Sequence, residues 1–213
     1  MNTERPLRAD AERNRRRIVE AAKGLFEQQG VDVAVEDIAA AAGVGIGTFY
    51  RRFPDRESLI EAVFDAKLER VLQAARDALE IEDPWEAFKT FVMAVARMHA
   101  RDRGLKQVML STDRGRERVA AFRAAIGPMA TQLVQNAKAA GVVREDLAAY
   151  DLPMIHHAVS AVADLTRDVC PDYFERILTV LVDGLAREGT PTPMTVPPLE
   201  TEQFLAVMGR HRR

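Results

Sequence analysis

Apolar residues recur at three- and four-residue steps along nearly the whole chain, and no stretch alternates in the two-residue rhythm of a half-buried strand. The pattern predicts an all-α fold. Residues 10–29 place Ile18, Ala22, Leu25 and Phe26 on one face, with Gly30 as the stop signal. Residues 35–42 form a short helix around Ile38 and Ala39 that ends at Gly43, and residues 45–52 form another that ends at Phe53-Pro54. A longer helix follows over residues 55–80, its stripe made of Leu59, Ile60, Val63, Phe64, Leu68, Val71 and Leu72.

Asp83-Pro84 breaks this rhythm, and Pro84 suits the first turn of a helix carrying Trp85, Phe88, Val92, Val95 and His99. A short helix is expected around Leu105 to Leu110, then a long one over residues 116–140 with a kink at Gly127-Pro128. Two further helices, over 149–169 and 172–187, are divided by Cys170-Pro171. Residues 189–198 contain four prolines and read as a linker before a short helix over 200–208. The expected organisation is a head at 1–54, with 1–9 a flexible tail, a helical body at 55–188, and a C-terminal tail at 189–213.

Composition narrows the class. Of 213 residues, 47% are hydrophobic and 29% charged, which suits a globular chain with a real core. No apolar run approaches the ~18 residues of a membrane span, and the polar, arginine-rich start lacks the apolar stretch of a secretory signal. Cys170 is the single cysteine, so no internal disulfide is available and a reducing cytoplasm is the expected compartment. The formal net charge is −2, so any contact with nucleic acid must rest on local charge. One basic cluster comprises Arg5, Arg8, Arg13, Arg15, Arg16 and Arg17, diluted by Glu4, Asp10 and Glu12; the other comprises Arg51, Arg52 and Arg56.

The second cluster belongs to the most informative stretch, VEDIAAAAGVGIGTFYRRF at residues 35–53. Two short helices joined by a glycine-containing turn make a helix-turn-helix. Ile38 and Ala39 supply the first helix's apolar face, Gly43 the turn, Val44 a plug between the helices, and Phe49 and Phe53 anchors under the second helix. Ile46, Gly47, Thr48, Tyr50, Arg51 and Arg52 are left to face outward. Hydroxyls and guanidinium groups suit phosphates, and an apolar side chain can touch a thymine methyl.

Residues 13–60, through RIVEAAKGLFEQQGVDVAVEDIAAAAGVGIGTFYRRFPDRESL and above all the G-T-F-Y-x-x-F-P segment, resemble the DNA-binding domain of tetracycline-repressor (TetR-type) transcriptional regulators. The resemblance implies an N-terminal three-helix head and a C-terminal helical ligand-binding and dimerisation domain. It also implies a double-stranded DNA operator as partner, no cofactor and no enzymatic activity. By the same likeness, Ile46, Gly47 and Tyr50 approach base edges, while Thr48, Arg51, Arg52 and Arg56 contact phosphate. Three positions depart from the family pattern: Ala34 stands where a capping Ser or Thr is frequent, Gly45 where Ser is frequent, and Ile46 where a charged residue is common. Asp32 is the nearest substitute for the lost cap.

Within the body, Trp85, Phe88, Met93, Met98, Met109, Phe122, Met129 and His156 are candidate ligand contacts, since flexible thioethers suit a pocket for a largely apolar effector. Such stripes also arise from plain core packing. His156 and His157 are adjacent and so point about 100° apart on a helix, and His99 and His211 show no ligand spacing; a metal is not expected. Leu152, Ile155, Val159, Val162 and Val169 on one late helix, with Phe174, Ile177, Leu178, Leu181, Val182 and Leu185 on the next, exceed one inward face. Val159, Val162, Ile177, Leu178, Leu181 and Leu185 are therefore candidates for a homodimer interface. No HExxH, glycine-rich phosphate loop or nucleophile–base pair supports an enzyme. A DNA-binding protein without ligand sensing stays open as an alternative to a ligand-released repressor.

Overall fold

The computed structural model describes residues 4–102, 105, 108, 112–187, 189 and 191–209. Its helices are α1 (Glu4–Gln29), α2 (Val35–Ala41), α3 (Ile46–Arg52), α4 (Arg56–Leu79), α5 (Pro84–Ala100), α6 (Asp113–Ala139), α7 (Asp151–Thr166), α8 (Tyr173–Asp183) and α9 (Thr201–Gly209). Among the described residues there is no strand, only an isolated antiparallel bridge between Val143 and Ala186. Nor is any described helix long and apolar enough to cross a membrane. Most of the short helix expected around Leu105 to Leu110 lies outside the described residues. Packing divides the chain into two units, one of Met1–Leu68 with Asp102–Glu117 and one of Glu69–Arg101 with Arg118–Arg213.

The first unit is built around α1, α2 and α3. Ile18, Phe26, Ile38, Phe49, Phe53 and Leu59 meet in its core, each nearly or fully buried. The α2–α3 turn depends on Gly43, whose φ of 61° lies in the left-handed region that L side chains avoid. Two hydrogen bonds close that turn, Gly43 N–H to the Ala40 carbonyl and Val44 N–H to the Ala39 carbonyl, both at 3.0 Å. This pairing satisfies carbonyls that a helix end otherwise leaves bare. The α4 helix opens with Asp55, whose carboxylate accepts the Ser58 N–H at 2.7 Å while the Ser58 hydroxyl donates to the Asp55 carbonyl. Lys67 pairs with Asp102, and Arg114 Nη1 lies 3.4 Å from Glu61 Oε1, so both Asp102 and Arg114 are tied to the first part of α4.

In the second unit α5 packs against α7 and α8, and α7 against α8. Phe88, Val92, Leu133, Leu152, Val159 and Leu178 lie at the centre. Asp83 caps α5 by accepting the Glu86 N–H at 2.8 Å, with Pro84 at the first helical position. Arg97 grips Glu175 through two bonds of 2.8 and 3.0 Å, clamping α5 to α8. The α6 helix continues through Pro128. The segment expected as a linker is held down: Arg144 binds Asp146 through both carboxylate oxygens and reaches the Thr192 carbonyl, and the Met194 N–H donates to Asp146. Arg144 and Met194 together hold the Asp146 carboxyl well below the usual carboxylate range. Beyond them Phe204 of α9 stacks on Tyr150 at 4.6 Å, and the Tyr150 hydroxyl lies 3.0 Å from Thr201 Oγ1.

Candidate nucleic-acid interface

The two faces of α3 have opposite fates. Phe49 is fully buried and fixes the helix from beneath, with Phe53 beside it at the helix end. On the other side Ile46 is 43% and Tyr50 50% exposed, and Gly47, Arg51 and Arg52 are exposed around them. Tyr50 meets Phe49 edge-on, with ring centroids 5.5 Å apart. Thr48 is half-buried, and its hydroxyl accepts from Arg51 Nη2 at 2.8 Å. A side chain at Gly47 would meet nothing closer than Arg51 Nη1 at 3.9 Å, so the head's own packing does not demand a glycine there. Neither α2 nor α3 has a side-chain cap, as Ala34 and Gly45 foretell.

Arg56, for which the resemblance implies a phosphate contact, donates through its guanidinium to the carbonyls of Val33, at 2.7 Å, and Val31. The reason is local: the α1–α2 loop leaves carbonyls without helical partners, and a planar two-armed donor at the start of α4 reaches two of them. Four arginines of α1 have partners within the head. Arg13 pairs with Asp10, Arg16 with Glu12, Arg17 donates to the Gly43 carbonyl, and Arg15 lies over the Phe53 ring.

The candidate ligand residues separate in the same way. Phe88 is fully buried core, with Trp85 tilted against it at 6.1 Å. Met93, Met98, Phe122 and Met129 are half-buried against that core, and Met109 lies outside the described residues. His156 is buried and stacks on His99 at 5.5 Å, while His157 lies 6.2 Å from His99. The fold thus brings the distant His99 to the adjacent pair His156 and His157. His157 Nδ1 donates to the Pro153 carbonyl at 2.7 Å. Burial, with a contribution from His157, pushes the His156 pKa down to about 3 against an opposing hydrogen bond with the Val92 backbone, so the ring is neutral. No group of three His, Cys, Asp or Glu that could hold a metal occurs among the described residues.

Sequence reasoning missed Arg123. On α6 it occupies the stripe of Val119, Ile126, Ala130, Leu133 and Ala137, at three- and four-residue steps, and these positions are buried or half-buried. Its Nη2 is buried with no hydrogen-bond partner, as is His156 Nε2. Burial lowers the Arg123 pKa from its ordinary value. An arginine on an apolar stripe was the available signal.

The candidate interface residues also need sorting. Val159 on α7, Leu178 on α8 and Leu185 just past α8 are buried in the chain's own core. Val162, Ile177 and Leu181 are half-buried. The exposed apolar residues in this region are Leu165, Val169, Tyr173 and Val180, with Leu165 at 84% and Val169 at 91%.

Residues 18–63 match the family model of bacterial regulatory proteins of the tetR family, and residues 83–187 match that of the SbtR-like transcriptional regulator C-terminal domain. The TetR transcription regulatory protein from Mycobacterium vanbaalenii is 32% identical, with a TM-score of 0.66 over 85% of this chain and 99% of that one. A TetR transcriptional regulator from Streptomyces coelicolor is 29% identical, with a TM-score of 0.62 over 82% and 99%. An HTH-type transcriptional regulator of Staphylococcus aureus is 35% identical over 85 residues, a match spanning 38% of this chain and 44% of that relative. Matches to other curated regulators of that organism span 35% of their length. With a helix-turn-helix head, a helical second unit and a relative aligned over nearly its whole length, the chain belongs to the tetR family of bacterial transcriptional regulators.

Proposed function

We propose that the chain is a repressor that binds a palindromic DNA operator as a homodimer and is released by a small, largely apolar effector. The observation that carries this reading is the outward face of α3, where Ile46 and Tyr50 stand half-exposed beside Arg51 and Arg52 over a buried Phe49. In this reading Ile46, Gly47 and Tyr50 meet base edges, and Thr48, Arg51 and Arg52 hold phosphates. The bare Gly47 surface supports it, since glycine allows a backbone to come close to a base edge. Arg56 acts indirectly, by fixing the α1–α2 loop.

The homodimer would form through α7 and α8, with Leu165, Val169, Tyr173 and Val180 as exposed apolar contacts and Val162, Ile177 and Leu181 behind them. Two-fold symmetry would then match a palindromic site. The effector acts by binding one arrangement of the dimer better than the other, and the coupling is reciprocal: DNA weakens effector binding as much as effector weakens DNA binding. Such a role is cytoplasmic and needs no catalytic residues.

Gel shift against DNA flanking the chain's own gene tests the reading. Sequence-preferring binding at ~0.1 M salt, lost in Tyr50→Ala and Arg51→Ala, is expected, since specific sites exceed non-specific ones by ~10³-fold or more. Binding without sequence preference overturns it. DNA release by no small molecule leaves an activator or architectural protein.

A further inference from the structure

Among the described residues, two buried side-chain polar atoms lack a hydrogen-bond partner, Arg123 Nη2 and His156 Nε2. They differ in what they ask for. The His156 ring is neutral, so it cannot serve as a counter-ion. Arginine stays charged under all ordinary conditions, so its unpaired nitrogen asks for an acceptor, best an anionic one. Nothing on its own helix answers. The residues three and four positions away are Val119, Ala120, Ile126 and Gly127, none of them acidic. Half-buried Phe122, Ile126 and Met129 of the same helix pack against the hydrophobic core. A guanidinium nitrogen withdrawn from water and left unpaired works against folding. Its presence on a buried stripe makes sense when a partner from outside completes it.

We infer that the effector is an amphipathic monoanion, an apolar body bearing one carboxylate, and that Arg123 takes the carboxylate. The inference rests on the reading of the helical body as an effector domain. The carboxylate accepts from Nη2, and the apolar body lies against the side chains that flank Arg123. Of the two orphaned groups, Arg123 alone carries a charge, so it can separate an acid from its neutral amide.

The test uses the full-length chain and three acids of different shape, octanoate, phenylacetate and 2-naphthoate, each beside its primary amide. Binding is measured by calorimetry for wild type, Arg123→Met and Arg123→Lys, and melting temperature is recorded without ligand. At least one acid should bind wild type about tenfold or more tightly than its amide. Arg123→Met should abolish that preference and Arg123→Lys should retain part of it. Ligand-free Arg123→Met should melt at or above wild type, because it loses an unpaired charge rather than a contact. The inference is overturned if no acid surpasses its amide, if Arg123→Met keeps the preference, or if Arg123→Met melts well below wild type or fails to fold. Operator binding by the wild-type sample is followed in parallel. Operator binding without acid selectivity removes this inference alone, whereas absence of operator binding removes the regulator reading.

Discussion

Replacing Arg56 with methionine removes a 2.7 Å bond to the Val33 carbonyl and a second bond to that of Val31. A hydrogen bond from a charged donor contributes about 1.5–3 kcal/mol when shielded from water. Arg56 is half-buried, so the lower end applies to each bond. The methionine stem keeps most of the packing of the arginine methylenes. The expected loss is about 2–3 kcal/mol, read from urea unfolding followed by circular dichroism. Arg56→Lys keeps a charge but offers a single point donor in place of a fork, and should recover about half of that. The salt dependence of operator binding gives an independent readout. Each lost phosphate contact lowers the slope of log K against log salt by about 0.9. A residue that holds a loop weakens binding equally at every salt concentration and leaves the slope alone. A slope reduced by about 1.8, one contact for each subunit of the proposed dimer, with unchanged stability would refute this account and return Arg56 to the role of phosphate anchor.

Ala34→Ser places a hydroxyl at an uncapped N-cap whose backbone is already extended, φ −64° and ψ 144°, and should stabilise the chain by about 0.5–2 kcal/mol; an unmoved urea midpoint speaks against it. Gly43→Ala puts a Cβ at a φ of 61° and 2.6 Å from Arg17 Nη2, and should cost at least about 1–2 kcal/mol in the same assay. The His156 pKa is depressed in the folded chain, so the unfolded chain binds the proton more readily, and stability is lost as pH falls from about 6.5 towards about 3. His156→Phe should remove a slope approaching about 1.4 kcal/mol per pH unit in that window, and an unchanged pH profile would count against a buried neutral ring. On α8, Leu178→Ala should destabilise by about 2–5 kcal/mol, while Val180→Glu, at a 65% exposed position, should leave the helical circular-dichroism signal unchanged and shift sedimentation from dimer to monomer.

The helices were legible because each amphipathic segment is closed by chemistry visible in the sequence: Gly43 after α2, Pro54 after α3, Asp83-Pro84 before α5. The reading face of α3 was legible for a related reason. Phe49 and Phe53 are the large apolar residues that a small head must bury, and once they point inward the residues between them cannot. Apolar pattern alone could not separate Leu178 from Val180, since both are aliphatic and only the packing of neighbouring helices decides which is covered. Partnership between distant residues was equally hidden. Arg56 reaches back 23 residues to a carbonyl in the α1–α2 loop, and His99 meets His156 across the core. Periodicity does not encode the directions of such bonds. Arg123 was the exception, a residue whose place in the stripe was visible but whose charge drew attention away from it.

The tail is fastened by a different kind of attachment from the rest of the second unit. Its hold includes the Arg144–Asp146 clasp on Thr192 and Met194, the Tyr150 hydroxyl and a ring stack with Phe204. None of these residues belongs to the buried cluster around Phe88 and Leu178. The tail is therefore an opening unit of its own, able to peel away without melting the body. Hydrogen exchange would register it as a separate, lower-energy event, and a protease would find residues 191–200 before any helix of the core. The tail also lies past residue 187, where the match to the C-terminal family model ends. Its loss would bare the Tyr150 ring.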